Sequence, residues 1–189
     1  MNDTMMISAR GTLEILDEDG NVIRRQSNQI HPENMSVAIA LSIAGKDGGP
    51  IEKMAFGSGG AVVNGIGNVT YLTKNVSGTN ATLYNQTYDK IVDDNNINNV
   101  NPARNKIEFF HVDGNIFSDI LVTCTLELSE PSGQRFRDNA PTSEEDFIFD
   151  EIGLISYNGK LLSHVIFNPV QKSANRVIVI RYTVRFQVA

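Results

Sequence analysis

The chain has 189 residues, 41% of them hydrophobic, a net charge of −6 and a pI near 5.0. That length supports one domain with a sizeable core; no apolar run approaches the ~20 residues needed to span a bilayer, and the opening MNDTMMISARG lacks the basic-then-apolar order of a secretion signal. The acidic balance argues against nucleic-acid binding, which runs on phosphate neutralisation by Lys and Arg, and the single cysteine, Cys124, excludes an intrachain disulfide framework and points to folding in a reducing compartment.

The first element is a hairpin over 7–25: ISARGTLEIL and NVIRR flank Asp17-Glu18-Asp19-Gly20, and Asp-Gly between apolar runs is a turn signal. The acidic turn lacks the alternating ligands and distal Glu of a calcium loop, so it reads as a plain turn. One helix follows, at about 33–44. Pro32 suits its first turn, His31 or Asn34 suits its cap, and Met35, Ala38, Ile39, Ser42 and Ile43 recur at helical spacing up to Gly45. The helix carries almost no charge, which predicts burial against a sheet or a neighbouring subunit. IEKMAFG at 51–57 reads as a strand running into Ser58-Gly59-Gly60. That run has no following Lys-Ser/Thr and opens no helix, so it reads as a turn and not a phosphate cradle.

Residues 60–105 hold many of the chain's 20 asparagines and are expected to form an exposed arm or insertion. Within it, Val69-Thr-Tyr-Leu looks extended. NATLYNQTYDKIV at 80–92 fits a short helix or turn, with a strand through Leu83 and Tyr88 as the alternative. The Asn-X-Ser/Thr triplets at Asn68, Asn75, Asn80 and Asn85 read as chance in an Asn- and Thr-rich stretch. Strands return at 106–112 and 116–128, where Ile120, Val122, Cys124, Leu126 and Leu128 share one face. Residues 129–146 are polar and read as a long loop. Three more strands, 147–157, 160–167 and 176–188, are separated by Asn158-Gly159 and by the polar stretch 168–175. In the last, Ile178, Ile180, Tyr182, Val184, Phe186 and Val188 alternate with Arg181, Thr183, Arg185 and Gln187, the pattern of a strand with one buried face. The expectation is a mainly β fold: a single domain over 1–189, an antiparallel β-sandwich of seven or eight strands with one helix in its N-terminal half and long Asn-rich loops.

No arrangement of residues points to a reaction centre. Cys124 falls among apolar neighbours, and the histidines His31, His111 and His164 show no zinc-ligand spacing. The alternation around His164 places it with Leu162 and Ile166, partly buried. Asp150 and Glu151 are adjacent in a strand and so point to opposite faces, which predicts one acid in solvent and the other paired with an Arg of the last strand, such as Arg181, or with a partner chain. No catalytic residue, cofactor or metal ligand is assigned, and no enzymatic activity is expected. The candidate contact residues are Asp150, Glu151, Arg181 and Arg185, together with Tyr71, Tyr84 and Tyr88, which would stack on sugars if the arm bound carbohydrate or anchor it by packing if not.

Five segments together, GTLEILDEDGNVIRRQSN, NQIHPENMSVAIALSIAG, IEKMAFGSGG, ATLYNQTYDKIV and FDEIGLISYNGKLLSHVIFNPVQKSANRVIVIRYTVRF, resemble tailed-bacteriophage virion proteins, including contractile-tailed-phage and tail-collar or fibre components. The most specific piece is an aliphatic-Gly-Leu strand, an Asn-Gly turn, a second strand, and a Lys shortly before a final aliphatic strand. The resemblance implies a structural building block made in the host cytoplasm. It would be assembled in several copies into the head surface, neck, collar or tail, with other virion proteins and further copies of itself as partners and no membrane association. A receptor- or carbohydrate-binding sandwich is the alternative, and a glycan hydrolase the weakest reading.

Overall fold

The computed structural model describes residues 5–131 and 146–189. In chain order the elements are β1 (Ile7–Leu16), β2 (Val22–Ser27), β3 (Gln29–Ile30), α1 (Pro32–Ile43), β4 (Ile51–Gly57), β5 (Ala61–Val63), β6 (Val69–Tyr71), β7 (Gln86–Ile91), β8 (Lys106–His111), β9 (Phe117–Leu126), β10 (Asp146–Ser156), β11 (Leu161–Ser173) and β12 (Ile178–Val188). They form a five-stranded sheet in the order β2-β1-β12-β9-β8, a second in the order β3-β11-β10-β4-β7, and a small ribbon of β5 and β6; every pairing is antiparallel. The fold is mainly β, as expected, with twelve strands among the described residues where seven or eight were predicted.

The inner faces follow the period of two. Leu13 and Ile15 of β1, Val122, Cys124 and Leu126 of β9, and Ile178, Ile180, Tyr182 and Val184 of β12 are buried from the first sheet. They share one core cluster with Met54, Phe56, Ile152, Leu154, Val165 and Phe167 of the second. Burial of that apolar area is the main force holding the two layers together. One polar tie crosses the core: the Tyr182 hydroxyl donates to Ser163 Oγ at 2.8 Å and accepts from Asn28 Nδ2 at 2.7 Å.

Helix α1 begins as the sequence predicts. His31 is the N-cap and its Nδ1 accepts from the Asn34 N–H at 3.2 Å; Pro32 occupies the first turn, and the chain leaves through Gly45 at φ 61°. The Asn34 side chain donates to the Leu161 carbonyl at 2.9 Å and pins the helix to β11. The expected burial holds for one stripe, Asn34, Met35 and Ala38, while Val37 and Ile43 stay exposed.

Three local expectations are corrected. Residues 86–91 form strand β7 instead of a helix or turn, because they pair along β4 with Phe56 opposite Tyr88 and their rings 5.9 Å apart. The region 60–105 is therefore no single arm: it supplies an edge strand as well as the β5–β6 ribbon. Strand β11 runs through the stretch 168–175 as far as Ser173, since a break in the β10 register between Phe149 and Glu151 takes up Asn168 and Pro169. The N-terminal hairpin is part of the first sheet, β1 pairing with β12 along ten positions. The polar loop predicted over 129–146 lies outside the described residues from 132 to 145.

Candidate functional site

A cluster of buried polar side chains gathers where β10 passes the loops 58–61 and 72–85. Asp150 and Glu151 are 4% and 0% exposed, so neither meets solvent and neither is available to a partner chain, contrary to the sequence expectation. The irregular register at this point lets both adjacent carboxylates reach the same loop region. Asp150 Oδ1 accepts from the Gly60 N–H at 2.9 Å and Oδ2 from Ala61 N–H at 3.0 Å. Glu151 Oε1 accepts from Asn85 N–H at 2.8 Å and Gly59 N–H at 3.2 Å, and its Oε2 accepts from Tyr84 N–H at 2.9 Å. The Gly-rich run 58–60 does bind anions through its backbone, and the anions are the chain's own carboxylates.

His164 completes the network. Its Nδ1 accepts from the Asn75 N–H at 2.8 Å, so the ring proton sits on Nε2, which donates to Glu151 Oε2 at 3.0 Å. Burial pushes the Glu151 carboxyl up, and the hydrogen bonds from His164, Asn85 and Tyr84 outweigh it and hold the group below the ordinary carboxylate range. Asp150 goes the other way: burial raises it against the pull of the Gly60 and Ala61 N–H groups. Every oxygen of the two acids and both ring nitrogens make a hydrogen bond within the chain, which makes the cluster a lock joining two loops to the second sheet. The Gly-rich run was visible in the sequence; its partners were not, because they are backbone groups 66 to 92 residues away from the carboxylates.

Lys90 and Cys124 are buried as well. Lys90 of β7 donates to the Thr125 carbonyl at 2.8 Å and to the Glu130 carboxylate, which also accepts from the Glu127 N–H. The Cys124 thiol is fully buried and burial pushes it up to about 12, Lys90 opposing and Glu130 adding, so it holds no thiolate near neutral pH. Among the described residues no three His, Cys, Asp or Glu side chains group closely enough to hold a metal ion. Among the same residues no helix is long and apolar enough to cross a membrane.

The tyrosines separate. Tyr84 packs tilted against the His164 ring, centroids 5.8 Å apart, and donates its hydroxyl to the Thr73 carbonyl at 2.5 Å; Tyr88 is half-buried against Phe56. Tyr88 anchors β7 by packing, and Tyr84 ties 72–85 to His164 and Thr73, while both Tyr84 and Tyr71 on β6 remain exposed to solvent. Arg181 and Arg185 lie on the outer face of the first sheet, far from the partnership with Asp150 or Glu151 that the sequence suggested. Arg185 forms a bidentate pair with Asp119, both bonds 2.7 Å, and its guanidinium lies 4.0 Å from the Phe117 ring centre. Arg181 is exposed, opposite Glu14 on one side and Thr123 on the other.

That outer face is a polar grid. One row sets Arg25, Glu14, Arg181, Thr123 and Lys106 side by side; another sets Arg10, Arg185, Asp119 and Phe110. Exposed apolar side chains concentrate on two projecting pieces of backbone. The β5–β6 ribbon shows Val62, Val63, Ile66 and Tyr71, and the end of β8 with its turn into β9 shows Phe109, Phe110, Val112 and Ile116. β8 is also a sheet edge, with no strand partner on its other side among the described residues, where Ile107 N–H donates to Asp94 Oδ1. Comparison with known proteins returned no matching family model, no matching curated protein and no matching solved structure.

Proposed function

We propose that this chain is a multi-copy structural component of a tailed-bacteriophage virion that holds neighbouring subunits together in the neck, collar, tail or head surface. The resemblance described above motivates the reading. Its segments fall on the β1–β2 hairpin, α1, β4, β7, the β10–β11 hairpin and β12, elements of both sheets of the sandwich. The observation that carries it is the pairing of an internally satisfied polar centre with apolar side chains displayed on projecting elements, Ile66 at 83% and Phe109 at 70% exposure among them. Exposed apolar area of this kind is stabilised by roughly 25 cal/mol per Å² when a protein surface covers it, and a strand edge such as β8 offers main-chain hydrogen bonds to the same partner.

The test is peptide mass spectrometry of particles purified from a lysate in which the gene is expressed. The expected result is the chain in several copies per particle. Particles that form and infect without it would overturn the reading.

A further inference from the structure

The sequence holds two Asn-Gly pairs, Asn64-Gly65 and Asn158-Gly159. In such a pair the main-chain nitrogen of the glycine can attack the side-chain amide carbon of the asparagine, because no Cβ on the glycine blocks the approach. Both pairs sit in exposed turns, so access to water does not separate them. Their hydrogen bonds and their settings do. Asn64 Oδ1 accepts from the Ile66 N–H at 3.1 Å and the Asn68 N–H at 2.9 Å. Two donors on a carbonyl oxygen draw charge from its carbon and stabilise the oxyanion that forms when a nucleophile adds. Among the described residues no group accepts from the Gly65 N–H, and a Cβ at Gly65 would meet nothing within 4 Å. The β5–β6 ribbon around the pair is held by three residue pairs, few enough for the main chain to rearrange at small cost. The second pair differs on each count that concerns the nucleophile. The Gly159 N–H donates to the Ser156 carbonyl at 2.8 Å, the Asn158 N–H bonds to the Gly48 carbonyl at 3.3 Å, and the turn joins β10 to β11, which pair along nine positions. Attack there would first break the bond that closes the turn.

We infer that Asn64 is a site of spontaneous covalent modification in the folded protein, the Gly65 nitrogen closing a succinimide ring on its side chain, and that Asn158 is spared. In the step, hydroxide takes the Gly65 amide proton, the bond from that nitrogen to Asn64 Cγ forms, and the bond from Cγ to Nδ2 breaks. A proton from water returns to the leaving nitrogen, which departs as ammonia and regenerates the hydroxide. Water then opens the ring at either carbonyl and leaves an aspartyl or an isoaspartyl residue at position 64; nothing is oxidised or reduced. Either product places a negative charge in the segment 61–71, which contains no charged residue. The isoaspartyl form also lengthens the main chain by one carbon inside the turn. The ribbon thus changes chemically with age, and this holds whether or not the chain is a virion component.

The test is peptide mapping by tandem mass spectrometry of the full chain aged in warm, mildly alkaline buffer, once folded and once in urea, with an isoaspartyl methyltransferase assay to score the isoaspartyl product. In the folded chain, loss of ammonia at position 64 is expected to outrun that at position 158 by about tenfold or more. In urea the two rates are expected to converge, because the difference lies in the fold and both pairs share the Asn-Gly sequence. Gly65→Ala places a Cβ beside the nucleophile in open space, so it is expected to keep the wild-type melting temperature and to slow the reaction at position 64 by about tenfold or more. A folded chain in which position 158 keeps pace with position 64 would overturn the inference. So would one in which both pairs react only in urea, or a folded Gly65→Ala variant that ages at the wild-type rate. If that variant melts early, the comparison of the two positions in the wild-type chain decides without it.

Discussion

Glu151 shows how a charge is kept inside this protein. Its carboxylate accepts four hydrogen bonds, three from backbone N–H groups and one from His164. Glu151→Gln replaces one acceptor oxygen with an NH2 that would face two donors, and leaves buried polar groups without partners. The expected cost is about 3 kcal/mol, read by urea unfolding. The same residue gives a pH signature. Its folded-state pKa is depressed, so the unfolded chain binds more protons as pH falls below the ordinary 4.5. The contribution is present in full above 4.5 and is lost as pH drops through the lowered folded value. Asp150, raised above its ordinary 3.8, opposes this, since the folded state there binds more protons and stability falls as pH rises through its window. The Glu151→Gln variant is therefore expected to lose the rise in stability toward pH 4.5 that the wild type shows. A variant whose stability follows the wild-type pH curve in parallel would contradict the role given to Glu151.

At the scale of elements, the second sheet and its covering loops fit too closely for side chains at certain glycines. A Cβ at Gly57, the last residue of β4, would lie 2.5 Å from Glu151 Oε1 and 2.6 Å from the Asn85 carbonyl oxygen, a backbone atom that has little room to move. Gly57→Ala is expected to destabilise by about 2 kcal/mol, whereas Gly65→Ala in the ribbon turn meets open space and is expected to fall within ~0.5 kcal/mol of wild type. Thermal melts of the two variants make the comparison, and equal melting temperatures would refute it. The elements themselves were unevenly legible. β12 could be read in full because its alternation reflects one buried face. The helix could be bounded because His31, Pro32 and Gly45 do local capping work that no tertiary contact overrides. Strand β7 was obscured because Leu83, Tyr84, Tyr88 and Ile91 happen to recur at helical spacing. In the fold Leu83 belongs to a small cluster with Ala55 and Leu161, while Tyr88 packs against the main core, so their spacing never described one face. The Asp150–Glu151–His164 lock left no trace in composition, since most of its donors are main-chain groups that every residue type supplies.

For the whole molecule, Asp150, Glu151 and His164 are buried and hydrogen-bonded within the chain, while apolar side chains such as Ile66 and Phe109 stand in solvent. The first sheet covers the core with one face and turns the Arg10, Arg185 and Arg181 grid outward. The second is covered by its own loops, with the ribbon projecting from them. In the proposed building block, the surfaces that would meet neighbours are the ribbon, the β8 edge and the polar grid. The claim on which the account rests is that these surfaces are covered by other subunits when the protein works. A cryo-electron density map of the assembled particle tests it most directly. The account predicts repeated copies of the sandwich with the 61–71 ribbon and the β8–β9 turn of each covered by neighbouring subunits. A particle whose density contains no such repeat, with the chain found only as a free monomer, would contradict it.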